Sequence, residues 1–93
     1  MSIKVMIPQP LQKLTNGSDV VDVTGSNIAD LIIDLDAKFP GIRDRICDET
    51  GKIRRFINIY VNEEDIRFLS GDKTSIKDGD EISIIPAIAG GSK

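Results

Sequence analysis

The sequence predicts an α+β domain in which one mixed sheet of four to five strands packs on one main helix. Three observations carry this. Segments with strict apolar–polar alternation lie towards both ends of the chain. A single strong helical stripe lies between them. The order of elements is β-β-α-β-(β)-β, so one helix must cover one face of one sheet.

Each element follows from its own pattern. "SIKVMIP" sets Ile3, Val5 and Ile7 against Ser2, Lys4 and Met6, a strand that Pro8 and Pro10 stop. After a turn at Asn16-Gly17, Val21 and Val23 share one face of a second strand, a hairpin partner of the first. The loop between the two is longer than a two-residue hairpin turn. Ser26 is expected to open the helix as its cap, with Asp30 favourably placed in the first turn. Ile28, Leu31, Ile32 and Leu35 follow at i, i+3, i+4 and i+7, with Asp30, Asp34, Asp36 and Lys38 on the wet side. Pro40-Gly41 ends it. "IRDRICDETGK" reads as a short helical turn and a loop. "IRRFINIYVN" is the strongest strand, with Ile57, Ile59 and Val61 on one face and Phe56, Asn58 and Tyr60 on the other. "DIRFL" reads as a short strand. A turn at Asp78-Gly79-Asp80 leads into a last strand carrying Ile82 and Ile84 on one face and Ile85 on the other.

A helix between two hairpin-like units lets the first and last strands lie side by side and parallel. This is the β-grasp, or ubiquitin-like, arrangement. Residues 1–86 make the domain, and residues 87–93 make a tail.

Composition narrows the chemistry. The 93 residues suffice for one domain, with 40% apolar content and a formal charge of −3. No basic stripe suggests a nucleic-acid partner. No leader pattern or membrane span is visible, so a cytoplasmic protein is expected. There is no His, which removes the usual general base, the His-activated nucleophile pairs and the commonest zinc ligand. A single Cys, Cys47, excludes an internal disulfide and a cysteine-ligated iron–sulfur cluster. Without a His partner, Cys47 reads as a small core residue.

The tail carries the functional signal. "TSIKDGDEISIIPAIAGG" is similar to the ending "L-x-D-G-D-x-V-x-I-x-P-x-x-x-G-G" of the MoaD/ThiS family of ubiquitin-like sulfur carriers, with Asp78, Gly79, Asp80, Ile82, Ile84, Pro86, Gly90 and Gly91 in register. "VTGSNIADLIIDL" resembles the family's helix start and "INIYVNEEDIRF" its third strand and hairpin. Within the family, "RFINIYVNEEDIRF" and "IPAIAGG" look nearest to the carriers that serve cysteine biosynthesis.

The resemblance implies a carrier and not an enzyme, with no cofactor bound to it. An E1-like enzyme would use ATP and Mg to adenylate the Gly91 carboxylate. A sulfur donor would replace AMP, and the resulting thiocarboxylate would serve a sulfur-accepting synthase of the cysteine-synthase type, with molybdopterin or thiazole synthesis as the next choices. Glycines fit such a role because they thread narrow channels and adopt φ values that other residues resist. Pro86 to Gly91 is an arm of up to roughly 20 Å. Pro86 stiffens its root, and Ile88, Ala89 and Gly90 are the positions a partner would recognise. Ser92 and Lys93 place a peptide bond where a free carboxylate is needed, so Gly91–Ser92 is expected to be a processing site. The resemblance implies a zinc-dependent JAMM-type metallopeptidase for that step.

Strand parity also points to a docking face. If the Ile and Val set faces the helix, then Phe56, Tyr60 and Ile85 lie on the open face, extended by Phe68 and rimmed by Arg54 and Arg55. Two other readings stay open: a modifier conjugated to lysines through the same activated glycine, and a binding module that ends in glycines.

Overall fold

The computed structural model describes residues 2–87. Its elements are β1 (Ile3–Met6), β2 (Val20–Val23), α1 (Ile28–Lys38), α2 (Ile42–Ile46), β3 (Ile57–Val61), β4 (Glu64–Asp65) and β5 (Glu81–Pro86). They form one five-stranded sheet in the order β2-β1-β5-β3-β4. β1 and β5 are parallel neighbours in the middle, with Val5 opposite Ile82. The other pairs are antiparallel. This is the β-grasp arrangement that the element order predicts.

The core is aliphatic. Ile3, Val5, Val21, Val23, Ile57, Ile59, Val61, Ile82 and Ile84 are buried on the covered face of the sheet. Ile28, Leu31, Ile32 and Leu35 bury the expected stripe of α1 against them. Cys47 is buried too, and burial pushes its thiol pKa up, so it is a core residue and not a reactive thiol.

Two local expectations need correction, and one loop gains detail. Asn27, not Ser26, caps α1: its side chain accepts from Asp30 N–H at 2.8 Å. The Ser26 carbonyl instead accepts from Ile76 N–H, which ties the helix entry to the loop before β5. "DIRFL" is not a strand throughout. β4 ends at Asp65, whose carboxylate accepts from Arg67 N–H and turns Ile66–Phe68 into a 3₁₀ turn. The β1–β2 loop holds a seven-residue 3₁₀ segment, Gln9–Thr15, which packs Leu11 into the core.

Gly25 has a packing role that its neighbours conceal. A Cβ there would stand 2.8 Å from Leu31 N and 2.9 Å from Leu31 Cα. Only glycine lets the chain between β2 and α1 press against the helix backbone.

Candidate functional site

The register of the strands builds the open face. Val20, Met6, Ser83, Tyr60 and Asp65 are successive Cα partners, one row running across all five strands. On the side of that row towards the start of β5, Asp22, Lys4 and Glu81 form a charged row, with Lys4 Nζ 3.4 Å from Asp22 Oδ1. On the other side Asn58 pairs with the exposed Ile85, while the next pair, Ile57 with Pro86, belongs to the covered face. The apolar end of the face is therefore the end from which the tail leaves.

Ile85 is 48% exposed on that face, Tyr60 is half-buried, and Phe56 is 52% exposed. Phe56 stands on the turn before β3 and not within the strand. The structure thus brings Phe56, Tyr60 and Ile85 to one region beside Pro86. Phe68 is 86% exposed but belongs to the 3₁₀ turn after β4, off the strand parity that placed the others. Met6 and Val20 were missed as members of the open face. The alternation in "SIKVMIP" put Met6 on the right side, but only the register across β1 and β5 aligns it with Tyr60.

Asp65 lies at the far edge of the same row. Its side chain is almost fully covered and forms a forked pair with Arg67, whose Nη2 is 2.7 Å from Oδ2. The hydrogen bonds from Arg67 hold the Asp65 carboxyl below the ordinary carboxylate range.

The root of the tail is fixed. Ala87 N–H donates to Phe56 O, one more ladder bond beyond the Pro86–Ile57 pair. Pro86 and Ala87 then line an open groove of about 840 Å³. Leu11 and Phe56 supply apolar surface, and Lys13, Arg45 and Arg54 supply positive charge. Arg54 donates through Nε and Nη2 to Asp44 O at 3.1 and 3.0 Å, which joins the chain before β3 to α2. Arg55 is exposed on the neighbouring turn. Ile88, Ala89, Gly90, Gly91 and Ser92 lie outside the described residues.

Among the described residues, no group of three or more His, Cys, Asp or Glu is placed to hold a metal ion. No described helix is long and apolar enough to cross a membrane. What the arrangement offers is a sheet that presents an apolar patch near the last described residue, Ala87.

The chain is 45% identical over 93 residues to the sulfur carrier protein CysO of Mycobacterium tuberculosis, covering 98% of this chain and all of that protein. It superimposes with a TM-score of 0.90 and 42% identity on a chain of the Amycolatopsis orientalis BexX/CysO complex, covering 96% of this chain and 99% of that one. The small archaeal modifier protein 1 of Methanosarcina acetivorans is similar at TM-score 0.82 and 31% identity, covering 97% and 96%. Residues 5–91 match the ThiS family, from β1 through both glycines. With residues 5–91 matched, this chain belongs to the ThiS family.

Proposed function

We propose that the chain is a sulfur carrier of the cysteine-biosynthesis type, acting as a carrier and not as a catalyst. The observation that carries this reading is the placement of the ending. β5 lies at the centre of the sheet, its last residues are held by Phe56 and Ile57, and "AIAGG" follows directly. The family match runs to Gly91 and leaves out Ser92 and Lys93, which supports their removal before use.

In the proposed cycle a JAMM-type peptidase first hydrolyses the Gly91–Ser92 bond. The freed Gly91 carboxylate attacks the α-phosphorus of ATP in an E1-like enzyme, with Mg, and pyrophosphate leaves. A sulfur nucleophile attacks the carbonyl carbon of the acyl-adenylate, a C–S bond forms, and AMP leaves with the C–O bond. The thiocarboxylate sulfur is then passed to a cysteine-synthase-like acceptor. The carrier supplies position: a root held at Phe56, two glycines whose lack of a side chain suits a narrow channel, and a docking patch of Phe56, Tyr60 and Ile85. A thiocarboxylate is anionic at neutral pH and needs no base from the carrier, which suits a chain without His.

The test is reconstitution. The Gly91-terminated protein with an E1-like activating enzyme, ATP, Mg and sulfide should exchange one oxygen for sulfur by intact mass. The 93-residue form should not react. Equal reaction of both forms would overturn the processing step. The likeness to an archaeal modifier favours one second reading, conjugation of Gly91 to lysines. Adducts heavier by whole proteins, with no sulfur exchange, would select it.

A further inference from the structure

We propose that Asp34 and Lys38 of α1 close the outer edge of β2 against strand addition by a second copy of this chain. β2 is one edge of the sheet and β4 the other. β4 has two residues and runs into a 3₁₀ turn, so it is too short to template a new strand. β2 has four residues, and Val20 on it is 41% exposed. The hazard of edge-to-edge pairing therefore falls on β2.

The register decides which backbone groups that edge offers. Ile7 N–H donates to Asp19 O at 2.8 Å, and Val5 and Ile3 stand opposite Val21 and Val23. Lys4 N–H turns the other way, to Asp80 O at 3.2 Å. Bonding directions alternate along an antiparallel strand, so Val20, Asp22 and Thr24 point their N–H and C=O groups away from β1. α1 takes two of these groups. Thr24 N–H donates to Asp34 Oδ2 at 2.9 Å, and Lys38 Nζ donates to Asp22 O at 3.1 Å. Lys38 Nζ also stands 3.3 Å from Asp34 Oδ2, one helical turn away. The three contacts close a ring over the groups that a second strand would have to use.

The pair is a poor source of stability. Its side chains are 45% and 30% exposed, and ion pairs in such a setting contribute little. What it does is occupy the edge: a second strand must break both hydrogen bonds and push both side chains aside. Thr24 N–H is the main cause that holds the Asp34 carboxyl below the ordinary carboxylate range, which keeps it a charged acceptor. The device is independent of the carrier reading, since it involves neither Gly91 nor any activating enzyme.

The test compares the full chain with its Asp34→Ala/Lys38→Ala variant by hydrogen exchange and sedimentation. The Thr24 amide should exchange at least about tenfold faster in the variant, while the β1-facing amides of Val21 and Val23 keep their rates. The unaltered protein should stay monomeric to about 1 mM, and the variant should self-associate below that concentration. The Val20 and Asp22 amides of the variant should gain protection as its concentration rises. An unchanged Thr24 rate, a variant that stays monomeric over the same range, or association without protection at Val20 and Asp22 would each overturn the proposal. Pairing of the unaltered protein through β2 would overturn it too. If the double variant does not fold, Lys38→Ala alone uncovers Asp22 O and leaves the Asp34–Thr24 bond in place, and sedimentation decides by the same criterion.

Discussion

Asn62 Nδ2 donates to Asp80 Oδ1 at 3.0 Å, joining the β3–β4 turn to the turn that starts β5. The same Asn62 accepts from Glu81 N–H through Oδ1 at 3.0 Å and donates its own N–H to Glu81 O at 2.8 Å. Asn62 and Glu63 both have positive φ, 50° and 77°, the backbone of a tight hairpin turn. Asp80 is buried and also accepts from Lys77 N–H at 2.9 Å. One amide side chain thus fixes where β5 begins, and through β5 where the tail leaves.

Asn62→Ala should cost about 1–3 kcal/mol, because it leaves a buried carboxylate short of a donor. The urea midpoint would report it. A loss under about 0.3 kcal/mol would mean that water replaces the amide at no cost.

Acid sensitivity follows from the same site. The hydrogen bond from Asn62, then that from Lys77 N–H, holds Asp80 below the ordinary carboxylate value against the opposing effect of burial. Asp34, Asp48 and Asp65 are lowered as well. A lowered folded-state pKa gives stability that is complete above the unfolded value of about 3.9 and is lost as pH falls through the folded one. The midpoint should be flat from about pH 7 to pH 5 and then decline. Asp80→Asn should make that decline shallower without abolishing it, because three other carboxylates share the window.

The two faces of β5 should separate stability from docking. Ile84 is buried and Ile85 is its half-exposed neighbour. Ile84→Ala should cost about 2–4 kcal/mol. Ile85→Asp should leave the unfolding midpoint nearly unchanged, yet weaken binding to the activating enzyme by more than about 1 kcal/mol if Ile85 is a central contact. The opposite outcome for the pair would place the docking surface elsewhere.

Gly25→Ala should destabilise by about 1–3 kcal/mol, the range for an overpacked site, because the new methyl would meet the Leu31 backbone and not a yielding side chain. Gly90→Ala should leave the unfolding midpoint unmoved and impair activation. A thermal melt of both variants beside an adenylation assay of Gly90→Ala would check the contrast.

Most of the frame was legible because burial writes a period into the chain. The α1 stripe, the parity of β3 and β5 and the Asp78-Gly79-Asp80 turn all follow from spacing. What stayed hidden depends on partners distant in sequence. Ser26 and Asn27 are equally good caps by type, and tertiary bonds decide between them: Ile76 N–H donates to Ser26 O and Ile28 N–H to Thr74 O. "DIRFL" alternates acceptably, but Asp65 hydrogen-bonds forward and stops the strand. The row from Val20 to Tyr60 needs a register across four strands, and the groove at Ala87 needs four elements to meet. No local pattern encodes either.

The central position of β5 has a kinetic consequence. Its neighbours are β1, from the opposite end of the domain, and β3, so the sheet closes only through contacts between residues almost eighty positions apart. Such topologies fold slowly compared with helical ones. Until β5 inserts, the two hairpins expose unpaired strand edges and are prone to pair with other chains. The insertion that removes this hazard is also the step that fixes Ala87 beside Phe56, so an incompletely folded chain cannot present the end of β5 and the open face together.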